Sequence, residues 1–224
     1  MANRSNDIVQ AINSISGKYS SYEVFSNWVE LCALSIQNAC YIHTEDDVYK
    51  EREKQYLQII SRYSESEQKK LSEMLSMLVE TLETEITDVL GYVFMKSQMG
   101  SSALGQFFTP FHVAELCARI AYNYEYNPDA DGKYTINEPA CGGGAMIIGA
   151  IKTMQSTGLN YQKHMEIVCQ DLDWKGVYMC YVQLSLLGVS ATVVQGDTLC
   201  NPYKKGVTPE RNILRTPKKM GVII

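Results

Sequence analysis

TINEPACGGGAMIIGAI, residues 135–151, reads as a β-strand, a glycine-rich turn and an α-helix in direct succession. Thr135, Ile136 and Asn137 lead into Gly142, Gly143 and Gly144, and the apolar run 145–151 follows at once. Glycines in such a turn let backbone approach a ligand closely, and the helix N-terminus behind them favours negative charge. Two familiar phosphate-binding patterns nevertheless fail. G-x-G-x-x-G breaks because Ile147 stands where the third glycine belongs, and G-x-x-x-x-G-K-[ST] breaks because no GKS or GKT occurs. What remains is E-x-A-x-G-x-G, spelled by Glu138, Ala140, Gly142 and Gly144. A tight strand-to-helix turn without a ligand is the plain alternative.

Outward from this turn, short β-rich runs alternate with helical ones. Strands are predicted over 134–137, 166–170 and 191–195, and helices over 113–122, 145–155 and 175–187. Near-continuous apolar strands of this kind belong to a buried parallel sheet, so the second part of the chain is an α/β structure. The first part differs. Between Asn6 and Met99 there is no proline and only two glycines, Gly17 and Gly91. Three apolar faces recur there at helical spacing: Trp28, Leu31, Ala33, Leu34 and Ile36; Tyr56, Leu57, Ile59, Ile60 and Tyr63; Leu71, Met74, Leu75, Leu78, Val79 and Leu82. Ser64 with Glu67 has the spacing of a capping box opening the third. The expected organisation is a helical region over 1–100, an α/β core over 101–200 and a basic tail over 201–224, with a hinge in 97–105.

Composition narrows the function classes. A net charge of −5 argues against a surface that is basic throughout, which leaves only a local nucleic-acid patch. The tail supplies one, with Lys204, Lys205, Arg211, Arg215, Lys218 and Lys219 against Glu210 alone; a solvated tail is the bland reading. Seven cysteines without a C-x-x-C pair indicate neither a disulfide framework nor a zinc ribbon, and they read as reduced cytoplasmic thiols. Cys141 sits in the glycine turn, where it is a candidate for oxidation or alkylation. The three histidines, His43, His112 and His164, make no ligand spacing. Residues 176–196 carry no charge, but Gln183, Ser185, Gly188, Ser190, Thr192 and Gln195 interrupt them, so a buried helix and strand are expected rather than a membrane span.

EPACGGG, residues 138–144, resembles the first motif of S-adenosylmethionine-dependent methyltransferases and is close to the (D/E)PACG(T/S)GG of N6-adenine DNA methylases. GQFFTP, residues 105–110, is similar to the GQ(F/Y)(Y/F)TP motif of the modification subunits of type I restriction-modification systems. The resemblance spans about 105–199 and implies a partial Rossmann-like methyltransferase sheet behind a helical N-terminal region, with S-adenosyl-L-methionine as cofactor. It implies that Phe107, Phe108, Thr109 and Pro110 line the methionine end of that cofactor, and that Glu138, Ala140, Gly142 and Gly144 form its turn. In IVCQDLD, it makes Asp171 the acceptor of the ribose hydroxyls and Leu172 the cover on an adenine face. In VVQGDTL, it gives Asp197 the exocyclic amine of the cofactor adenine. From the residues alone, Thr109 reads as an N-cap with Pro110 at N1, Asp173 as the cap of the helix near Lys175, and each strand-end aspartate as a group solvated by water.

The sequence departs from the family in one respect that matters chemically. An adenine amine is a poor nucleophile and must be flipped out and clamped. The amino-methylase clamp (D/N/S)PP(Y/F/W) is missing, because the chain contains no Pro-Pro pair. Asn201-Pro202-Tyr203 imitates it with one proline and reads as a turn. The expected activity is adenine-specific DNA N6-methylation with a complementing or specificity chain. The competing expectations are a cofactor- or partner-binding protein that transfers no methyl group, and, more distantly, an RNA or protein-glutamine methyltransferase.

Overall fold

The computed structural model describes residues 3–41, 46–97, 108–122 and 128–222. It divides into two compact units, a helical one comprising Met1–Glu85 and Val89–Phe108, and an α/β one comprising Ile86–Asp88 and Thr109–Ile224. The expected hinge at 97–105 lies outside the described residues except for Ser97.

The helical unit contains α1 (Ser5–Ile15), α2 (Ser21–Ala39), α3 (Asp47–Ile60), α4 (Glu65–Thr84) and α5 (Val89–Ser97). Two capping boxes start its long helices: Ser20 with Glu23 opens α2, and Ser64 with Glu67 opens α4 as the spacing predicts. Ile8, Ile12, Val24, Phe25, Trp28, Leu34, Met74, Leu78, Leu90 and Phe94 are all buried, which joins faces of α1, α2, α4 and α5 in one core. The Trp28 indole N–H donates to the Leu71 carbonyl at 3.1 Å, so the largest core side chain leaves no buried donor without a partner. One predicted face is corrected. On α3, Ile59 is buried but Leu57 is 55% exposed, because that helix turns a narrower apolar stripe inward than its five apolar residues suggest.

The α/β unit contains α6 (Phe111–Tyr122), β1 (Tyr134–Glu138), α7 (Ala145–Ser156), the single turn α8 (Tyr161–His164), β2 (Met165–Asp171), α9 (Trp174–Leu186), β3 (Ser190–Gln195), a 3-10 turn at Glu210–Asn212, β4 (Ile213–Arg215) and the single turn α10 (Pro217–Met220). The sheet order is β1-β2-β3-β4. The first three strands are parallel, with Glu138 beside Cys169 and Asp171 beside Gln195, so their C-terminal ends lie together. Asp173 caps α9 through the Lys175 amide at 3.1 Å, as predicted.

Two sequence expectations fail here. The carbonyl of Pro110 accepts the first backbone bonds of α6, from Val113 and Ala114, so the capping position falls on Pro110 rather than Thr109. The segment after residue 200 is also more than a solvated tail. β4 pairs antiparallel with β3, placing Leu214 beside Val193, and Ile213 and Leu214 are buried. Thr216, fully buried, fastens this strand by donating to the Val189 carbonyl at 2.6 Å and accepting from the Ala191 amide at 3.0 Å. Only three residues form the strand, too few for alternation to announce it.

Gly149 sets how closely α6 and α7 approach. A Cβ there would lie 2.9 Å from the Ala114 carbonyl oxygen, a backbone atom that cannot rotate away. Alanine would raise helix propensity by about 1 kcal/mol, but overpacking costs about 1–3 kcal/mol, so the strain prevails. Gly149→Ala is therefore expected to lower the thermal midpoint in a calorimetric melt, against the sign that propensity alone predicts.

Candidate functional site

The site is assembled where β1, β2 and β3 end, the edge at which parallel α/β sheets receive ligands. After β1, Glu138 Oε1 accepts the Ala140 amide at 3.1 Å and tightens the turn from within. The Cys141 amide donates to the Gln170 carbonyl at 3.0 Å, extending the β1–β2 ladder into the turn. Gly142 then adopts φ +49 and Gly144 φ +94, both left-handed, where a side chain would be strained. Gly144 has a second reason to be glycine: a Cβ would lie 3.1 Å from Cys180 Sγ on α9. Gly176 likewise lets α9 run against the turn, since a Cβ there would meet the Gly142 carbonyl oxygen at 3.2 Å.

Asp171 ties the second strand end to the first. Its Oδ2 accepts the Gly142 amide at 2.7 Å and its Oδ1 accepts the Asp173 amide at 2.9 Å, while its own carbonyl accepts the Gly196 amide at 2.8 Å. Leu172 beside it is 67% exposed, an apolar surface held at the strand ends with no core to cover it. The third strand end closes the group. Asp197 Oδ1 accepts the Leu199 and Cys200 amides at 2.9 and 3.1 Å, and these bonds, that of Cys200 foremost, hold its carboxyl below the ordinary aspartate range. The Thr198 hydroxyl donates to the Pro139 carbonyl at 2.6 Å, a direct link from the end of β3 to the EPACGGG turn.

Of the predicted site residues, Glu138, Ala140, Gly142, Asp171, Leu172 and Asp197 thus come together at one sheet edge, and buried Gly144 serves the packing beneath them. Thr109 and Pro110 are exposed ahead of α6. Phe108 packs edge-on against Phe94 in the helical unit, ring centroids 4.7 Å apart. Phe107 lies outside the described residues.

Residues 85–224 match the N-6 DNA Methylase family. The chain belongs to that family. The resemblance carried by EPACGGG is borne out, and the match extends over β4 and the segment around it. The methyltransferase fold is borne out as well. The solved structure of a Listeria monocytogenes protein described as a class I S-adenosylmethionine-dependent methyltransferase aligns with a TM-score of 0.53 at 17% identity, covering 89% of this chain and 55% of that one. A type I restriction-modification methyltransferase subunit from Streptococcus thermophilus aligns with a TM-score of 0.44 at 18% identity, covering 91% of this chain and 41% of that one. The N-6 DNA methylase chain thus spans about half the length of the solved structures it aligns with. No curated protein matches its sequence.

Two groups outside the predicted set hold this candidate site in place. Gln170, 3% exposed, donates through Nε2 to the Asn201 carbonyl at 2.9 Å and accepts the Tyr203 amide on Oε1 at 2.9 Å. Asn201-Pro202-Tyr203 is therefore a turn clipped to β2 at both ends. Gln183, fully buried on α9, donates to the Gly143 carbonyl and to Asp88 Oδ1, each at 2.9 Å. A glutamine inside the uncharged stretch 176–196 is the signal that marks the second; a glutamine one residue before the strand-end acid marks the first.

The basic segment is partly neutralised. Arg215 pairs with Glu210 and Lys219 pairs with Glu166, so two of the six expected cations face carboxylates. Lys204, Lys205, Arg211 and Lys218 are exposed. Among the described residues no helix is long and apolar enough to cross a membrane.

Proposed function

We propose that this N-6 DNA methylase chain binds S-adenosyl-L-methionine at the β1–β3 edge and works in adenine-specific DNA N6-methylation, with a partner chain supplying the base clamp. The observation that carries the reading is the bond from the Gly142 amide to Asp171 Oδ2, which couples the glycine turn to the strand-end carboxylate. The residues present suit such a group. Gly142 leaves the turn without a side chain, Asp171 is half-buried with acceptor oxygens at the edge, and exposed Leu172 offers an apolar face.

In this reading Asp171 accepts the ribose hydroxyls and keeps the turn in place with the same carboxylate. Leu172 covers one adenine face, and Asp197, ionised across the neutral range, accepts from the adenine amine. Thr109 and Pro110 are assigned to the methionine end. When bound, the cofactor supplies an electrophilic methyl group. The protein contributes position and orientation rather than a covalent step, and that is where such catalysis gains most. Cytoplasmic location and contact of Lys204, Lys205, Arg211 and Lys218 with DNA phosphates belong to the same proposal.

A second reading has its own observation. Asn201-Pro202-Tyr203 is pinned by Gln170, and the sequence has no Pro-Pro pair. That favours a chain that binds cofactor without transferring its methyl group when alone. Transfer of labelled methyl from S-adenosylmethionine to unmethylated DNA separates the two. The proposal expects label on adenine N6 when a candidate partner chain is added and little without it. Label absent with every such partner, while the cofactor still binds, would leave the second reading.

A further inference from the structure

Directly behind the glycine turn three thiols converge from three elements: Cys141 from the turn, Cys169 from β2 and Cys180 from α9. Their sulfur atoms all lie within 4.8 Å of one another, and the residues are 7%, 0% and 0% exposed. The hydrogen bonds exchanged among them pull in both directions, and with burial added all three thiols are held well above their ordinary range. The mechanism proposed above uses none of them.

Ligand count and charge decide what such a pocket accepts. Structural zinc takes four ligands, and among the described residues no fourth metal-ligating side chain joins the three. A monovalent soft ion on three thiolates would leave two negative charges in the interior, where an uncompensated charge costs several kcal/mol. A trivalent thiophilic centre leaves none. Taking a thiolate bond of about 2.3 Å, a pyramidal three-sulfur centre needs sulfurs roughly 3.5 Å apart, which small side-chain rotations supply.

We infer that Cys141, Cys169 and Cys180 form a binding site for trivalent arsenic or antimony, taken up as the neutral hydroxide. The reaction balances from the protonated thiols: As(OH)3 and three R–SH give As(SR)3 and three waters. Three As–O and three S–H bonds break, three As–S bonds and three O–H bonds form, and no oxidation state or net charge changes. Cys141, the one member with any exposure, is the point of entry. Because Cys141 begins the turn, the bound element fastens that turn to β2 and α9.

Mass spectrometry of the reduced full chain with one equivalent of sodium arsenite tests this without reference to methyl transfer. The expected adduct has the mass of one arsenic less three hydrogens, and it persists when Cys40, Cys117 and Cys200 are all changed to serine. It disappears in Cys169→Ala and in Cys180→Ala, each checked for native circular dichroism. The wild-type mass decides the question even if those variants do not fold, since coordination by fewer than three sulfurs retains a hydroxyl. No adduct, an adduct retaining oxygen, or one that survives loss of Cys169 in a folded variant would overturn the assignment.

Discussion

Asp171→Ala is expected to weaken binding of S-adenosylmethionine by about 100-fold, because one carboxylate performs two tasks and the substitution removes both. One hydrogen bond to a charged acceptor contributes about 1.5–3 kcal/mol, so at about 1.4 kcal/mol per tenfold the net loss of a single ribose bond accounts for most of that factor. The remainder comes from the turn, whose Gly142 amide loses the oxygen that it reaches at 2.7 Å. Asp171→Asn discriminates between the tasks. Its single carbonyl oxygen replaces one acceptor, so a loss of roughly tenfold is expected, at about 1.4 kcal/mol per tenfold. Ligand-induced thermal shift with S-adenosylhomocysteine reads the series. Equal shifts for wild type and Asp171→Ala would remove Asp171 from the site.

Gln183→Leu is expected to have the largest effect on stability. The side chain is fully buried and donates simultaneously to the Gly143 carbonyl and to the Asp88 carboxylate. Leucine preserves volume but withdraws both donors from acceptors that stay inside the protein. Each such buried acceptor costs about 1–3 kcal/mol, and more when charged, so a loss of about 3 kcal/mol is expected. For a domain of this size that lowers the melting midpoint by roughly 10 °C. The same bond explains why Ile86–Asp88 groups with the α/β unit although the residues on both sides belong to the helical one. A calorimetric midpoint within a degree or two of wild type would show that Gln183 does not key the turn to α9.

Much of the fold is legible in the residues because its signals are local. The three parallel strands and the helices between them are announced by apolar runs and their punctuation, and the observed strands Tyr134–Glu138, Met165–Asp171 and Ser190–Gln195 fall within a residue of expectation. The capping box at Ser64 is a two-residue pattern and needs no tertiary knowledge. β4 behaves differently: three residues gain their place by pairing with β3 and by the Thr216 bonds, and both are long-range events. Leu57 shows the same limit, since periodicity gives the apolar face of a helix but not how much of it a neighbour covers.

The site divides along similar lines. Glu138, Gly142, Asp171 and Asp197 are visible because motif and strand end coincide in the sequence. Thr198, Gln170 and Gln183 are not, because each acts on a residue between 31 and 95 positions away, or 59 in the case of Thr198. Polar side chains inside an apolar stretch therefore say that a bond is being made without saying to what. The thiol cluster is the same kind of feature: Cys141, Cys169 and Cys180 have no motif spacing, and only the crossing of turn, strand and helix brings their sulfurs within 4.8 Å.

In the proposed function the end of the β1–β3 sheet is a cofactor seat built on the Gly142–Asp171 bond. Isothermal titration of the purified chain with S-adenosylmethionine tests it most directly. Saturable binding at one site per chain is expected, with heat that disappears in Asp171→Ala while circular dichroism stays native. Absence of binding heat at several temperatures in a folded wild-type chain, or undiminished binding by Asp171→Ala, would contradict it.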